Sequence, residues 1–113
     1  MADLFRHNLW ANLTLIDFCM AQPHEVLDTN VLGTFGSIRD TLGHLAGVEE
    51  GYLRALVGGE ETEPDLVSLR ERALAAGEVL DLAAVREHAR ASGERMVAYA
   101  ETVDGNPTVL VTV

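Results

Sequence analysis

The chain has 113 residues, a formal net charge of −10 from 18 acidic and 8 basic residues, 48% hydrophobic content and 23% charged content. That length suits one domain with one modest core, and the composition is that of an ordinary soluble globular protein. An acidic excess without any clustered basic run excludes a nucleic-acid footprint and disfavours an anionic membrane surface.

Cys19 is the single cysteine, so no intrachain disulfide can form, which fits a reducing, cytoplasmic setting. The opening "MADLFRHNLW" lacks a basic segment followed by an apolar one, so no signal peptide is expected. The apolar runs are a few residues long, far short of the roughly 20 that span a bilayer.

Residues 3–21 read as a first helix, because Phe5, Leu9, Leu13, Ile16 and Met20 fall on one stripe. Asp3 is the expected N-cap, and Pro23 closes the segment. Residues 22–36 read as a connection. Ser37 is the expected N-cap of a second helix, with Asp40 placed for a capping box. Ile38, Leu42, Leu45, Tyr52, Leu53 and Leu56 share the face expected to be buried. Arg39, Asp40, Gly43, Gly47, Glu50 and Arg54 lie opposite. Gly58 and Gly59 end that helix, and the acidic "EETEPD" follows as a linker.

From Asp65 to about Val103 the pattern is helical again, first through Leu66, Leu69, Ala73, Ala76 and Leu80. A second stripe then runs through Leu82, Val85, Ala89, Ser92, Met96, Tyr99 and Val103. The phase change near Gly77 admits either two helices or one bent helix. "DGNP" at 104–107 is a turn signal, and "TVLVTV" at 108–113 reads as a strand. The expected fold class is all-α, an antiparallel bundle of three long amphipathic segments and a short C-terminal β segment. A chain ending inside an apolar strand, with no partner strand, is expected to be C-terminally incomplete or completed by a second copy.

Two polar residues in the second helix draw the chemistry. His44 lies at the edge of the apolar face, suited either to a structural hydrogen bond or to a metal in a cleft between helices. Glu49 projects among Leu42, Leu45, Tyr52 and Leu53, where a carboxylate must be hydrogen-bonded or neutralised; Asn8, Asn12 and Trp10 are the expected partners. The two are about 140° apart round the helix and do not share one metal. His7 and His88 read as exposed, and His24 as a loop residue; the histidine spacings match no zinc pattern. Cys19 reads as a small core residue. "GTFGS" before the second helix resembles an anion-binding turn only weakly, since no lysine follows.

"LFRHNLWAN" (4–12) and "TFGSIRDTLGHLAGVEEGYLRAL" (34–56) together resemble the start of the DinB/YfiT-like superfamily. Trp10, Ala11 and Asn12 match its aromatic-Ala-Asn element. Ser37, Ile38, Thr41, Leu42, His44 and Leu45 match its Ser-Ile-x-x-Thr-Leu-x-His-Leu element, and Glu49 follows where the family often has an acid. The resemblance implies an up-down-down-up four-helix bundle, of which only the first three helices are present. It also implies a zinc or nickel ion held by three histidines. His44 occupies the position of the second-helix ligand, and Trp10 and Asn12 would be structural or line the bundle mouth. The other two ligands come from an H-x-x-x-H pair on a fourth helix, which this sequence lacks, so weak or no metal binding by the chain alone is expected. The implied activity is that of a metal-binding, thiol-dependent transferase or isomerase using a low-molecular-weight thiol, inactive in this form. The alternative is a non-catalytic interaction module that self-associates, as a dimer, through the surface left by the missing helix.

Overall fold

The computed structural model describes residues 1–30, 36–58 and 65–105. Among them are five helices: α1 (Ala2–Met20), α2 (His24–Leu27), α3 (Ile38–Val57), α4 (Leu66–Ala75) and α5 (Leu82–Gly105). The expected strand at 108–113, Gly33, Gly59 and most of the acidic linker lie outside the described residues.

Local chemistry explains most boundaries. The capping box at α3 forms as expected: Ser37 Oγ accepts from the Asp40 amide at 3.1 Å, and Asp40 Oδ2 accepts from the Ser37 amide at 3.5 Å. Asp65 caps α4 by accepting from the Ser68 amide at 2.9 Å. Gly58 and Gly77 end α3 and α4 in the left-handed region, with φ of 72° and 71°, where a side chain would be strained. Gly77 thus resolves the phase change into two helices. Asp3 is not the cap of α1, which starts at Ala2; Asp3 pairs within the first turn with Arg6 at 2.5 Å. His24 is not in a loop but opens the single turn of α2. Asp104 and Gly105 of the expected turn belong to α5.

Contacts along the helices set their directions. Arg6 meets Glu101, Leu9 faces Gly93, and Asp17 meets Arg86, so α1 and α5 are antiparallel. Arg39 meets Leu80 and Glu50 meets His88, so α3 and α5 run parallel. Two parallel neighbours need a return run between them. α4 supplies it, antiparallel to α3, through Arg54 with Asp65 and Glu50 with Leu66. The three long helices are therefore up, down, down. α1 and α3 both pack on α5 far more than on each other.

The core runs through Ile16, Leu42, Ala46, Leu66, Val85 and Ala89, with Leu53 and Val103 also buried. Each fully buried aliphatic side chain stabilises the fold by about 1.5–3 kcal/mol. On α5 the expected stripe from Leu82 to Val103 is buried except for half-buried Tyr99. On α1, Ile16 and Cys19 are buried, whereas Met20 is exposed.

The face of α3 is rotated from the expected one. Arg39 and Gly43 are buried, whereas Leu45, Tyr52 and Leu56 are exposed at 57%, 66% and 48%. Two helices cover α3, α5 on one side and α4 on the adjacent side. Small residues make room on that side: Gly47 lies against Leu66 and Val67 of α4, and Gly43 against Leu80, which follows α4 in the chain. Apolar side chains on the α1 side are consequently left outside.

Candidate functional site: the open groove between the first and third helices

Because α1 and α3 pack mainly on α5 and touch each other little, a groove of about 440 Å³ opens between them. Phe5 and Asn8 of α1 form one wall. Leu45, Val48, Tyr52 and Leu56 of α3 form the other, and Met96 of α5 is part of the floor. Glu49 stands within this apolar lining. Its partner is one of those expected: Asn12 Nδ2 donates to Glu49 Oε2 at 3.2 Å. Burial pushes the Glu49 carboxyl above the usual carboxylate value, and a hydrogen bond with the Asn8 side chain opposes that.

The sign of this shift gives a pH dependence. Between the unfolded and the raised folded value, the native state holds a proton that the unfolded chain has released. Stability therefore falls as pH rises through that window. Glu49→Gln is expected to melt at a higher temperature than the wild type at pH 7. The advantage should vanish at roughly pH 3, where both states are protonated. Paired thermal melts check it; a variant less stable at pH 7 would mean that the amide hydrogen bonds outweigh burial.

His44 is exposed on α3. It lines a neighbouring groove of about 210 Å³ between α3 and α4, with Arg70 and Glu71 opposite, and Val48 borders both grooves. Among the described residues no group of three or more His, Cys, Asp or Glu is placed to hold a metal ion. One imidazole does not make a metal site, so the described residues by themselves do not fit one.

The remaining sequence candidates are distributed elsewhere. Trp10 is exposed on the α1/α5 side, beside Leu9, Leu13 and Val97, with its ring 5.7 Å from that of His7. It does not line the α1/α3 groove. Cys19 is buried, and burial raises its thiol further, as suits an inert core residue. The start of α3 is occupied by its own cap, with the Asp40 carboxylate where an anion would have to approach.

Two polar clusters escaped sequence reasoning. His88 is half-buried rather than exposed: its Nδ1 lies 2.6 Å from Glu50 Oε2, while Glu50 Oε1 accepts from the Leu66 amide at 2.9 Å. This carboxylate ties α3, α4 and α5 at one point. Buried Arg39 donates to Asp28 at 2.8 Å and to the Leu80 carbonyl at 3.0 Å, and its Nη2 lies 3.0 Å from His24 Nδ1. Arginine has only donors, so His24 Nδ1 is the acceptor there. The available signal was that Arg39, Gly43, Gly47 and Glu50 share one stripe, small residues beside charges, which suits a close helix contact with internal ion pairs.

A model of the DinB family matches residues 1–109. No curated protein and no solved structure matches the chain significantly. No helix among the described residues is long and apolar enough to cross a membrane.

Proposed function

The chain belongs to the DinB family, and from that premise we propose that it contributes to a metal-dependent enzyme of the thiol-dependent transferase or isomerase type. His44 would donate one imidazole to a zinc or nickel ion, with the other ligands coming from outside the described residues. The observation supporting this reading is the exposure of His44 on the ridge of α3 between two grooves, where ligands from another segment can reach it. The open α1/α3 groove beside it offers an apolar surface for the organic part of a thiol or substrate.

Zinc or nickel titration of the wild-type chain and of His44→Ala tests the role. Loss of an outer partner alone costs metal sites about 10–100-fold in affinity, and loss of a ligand is expected to cost at least as much. The wild-type chain should bind weakly, with the His44 ring resonances shifting on titration. Equal metal stoichiometry and affinity in both proteins would remove His44 from the site.

A second reading is favoured by a specific observation. Leu45, Val48, Tyr52 and Leu56 form a continuous exposed apolar stripe along one wall of the groove. A docking module without catalysis uses such a face to hold another helix, from a second copy or from a different polypeptide.

A further inference from the structure

We propose that α4 is a flap that lifts off α3 as a unit, hinged at Glu78 and Val79 and latched by Glu50, and so sets the width of the groove that His44 lines. The inference concerns the shape of that groove and stands whether or not a metal binds there. α4 supplies one wall of the groove, from Leu66 to Glu71, and α3 supplies the other. Among the described residues α4 packs chiefly on α3. Its buried anchorage is confined to its first turn, where Leu66 enters the core and Leu69 packs against it. From Glu71 to Val79 every residue is exposed except half-buried Ala73.

The hinge follows from the way the helix ends. The Gly77 and Glu78 amides donate to the Leu74 and Ala73 carbonyls, so they move with α4. Leu80, by contrast, is buried, and its carbonyl accepts from Arg39 at 3.0 Å. Movement between these two fixed ends falls on the exposed Glu78–Val79 step.

Lifting α4 strands little. Leu66 and Val67 rest on Gly47, which has no side chain, so α3 exposes little apolar area when they leave. Glu50 Oε1 releases the Leu66 amide, but Oε2 stays 2.6 Å from His88 Nδ1, so the carboxylate keeps a partner. Asp40, which lies 4.0 Å from Arg70, keeps the Ser37 cap. Asp65 keeps the Ser68 amide when it parts from Arg54. Each carboxylate at this interface therefore has a partner in the open state, which makes a local opening less costly than global unfolding.

Native-state hydrogen exchange of the 113-residue chain in low urea tests this. The Leu66 amide donates to the Glu50 side chain and reports the latch, while the amides of residues 70–75 report the helix. Both sets are expected to exchange together, about 100-fold more often than the Val85 and Ala89 amides and with little dependence on urea. A Gly47→Cys thiol, placed against Val67, should react with an aromatic disulfide reagent at that same opening frequency. Circular dichroism checks the fold of that variant, and exchange of the wild type decides if it does not fold. Opening of α4 with the frequency and urea dependence of Val85 and Ala89 overturns the flap, as does a thiol that reacts only at that frequency. Exchange of residues 70–75 with Leu66 still protected means that α4 frays in place and overturns the lifting. An unprotected Leu66 amide means that there is no closed state and overturns the latch.

Discussion

Arg39→Ala is expected to destabilise the fold by about 3 kcal/mol, the low end for breaking a buried ion pair. Arg39 is 4% exposed and ties α3 to two other segments: the α2 turn, through His24 and Asp28, and the residues before α5, through the Leu80 carbonyl. Its removal leaves the Leu80 carbonyl without that donor and opens a space the size of its methylene stem. The cost stays near the low end because the Asp28 side chain is 38% exposed and can be rehydrated. For a domain of this size the melting temperature should fall by about 10–15 °C. Arg39→Met fills the same volume without the charge and should recover about 1–2 kcal/mol of the loss. A loss below about 1 kcal/mol for Arg39→Ala, measured by urea unfolding, would show that the cluster contributes little.

Leu66→Ala is expected to cost about 3 kcal/mol, the usual range for emptying a buried leucine site. Leu66 is 1% exposed and is the one residue of α4 that is fully buried. A ten-residue helix is not stable alone in water. The attachment of α4 to α3 includes this side chain, its amide bonded to Glu50, the Arg54–Asp65 pair at 3.2 Å and the Arg70–Asp40 pair at 4.0 Å. Hydrogen exchange distinguishes local from global loss. The amides of α4 should lose protection first, while those of α1 and α5, which pack along their whole lengths, keep theirs. Uniform loss across all helices would mean that α4 unfolds only together with the core.

These two residues differ in how far the sequence disclosed them. Leu66 falls on an apolar stripe just after a capping aspartate, and periodicity alone marks it as core. Arg39 falls on a stripe of charges and glycines that periodicity assigns to solvent. The assignment fails because a hydrophobic stripe reports one buried face, whereas α3 is covered from two directions. Its second neighbour, α4, is short and lies against Gly47, while Leu80 beyond α4 lies against Gly43. His88 was misassigned for the same reason: its charged neighbours Glu87 and Arg90 face outward, while it turns inward to Glu50.

The sequence carries the Ser37-to-Glu49 resemblance to the DinB family, and by itself it determined what depends on near neighbours in the chain: the capping box at Ser37, the phase change near Gly77 and the buried stripe of α5. These follow from hydrogen-bonding and steric rules that span three or four residues. Only the tertiary structure decided which face of α3 is inside, that Glu50 and His88 are partners, and that Leu45, Tyr52 and Leu56 line an open groove beside Glu49. Those features depend on which helices meet and at what distance, and on α1 and α3 being held apart by their common packing on α5. His44 is proposed as a metal ligand on its place in a local sequence pattern. Its exposure on the ridge beside that groove follows from the three-dimensional arrangement of three helices.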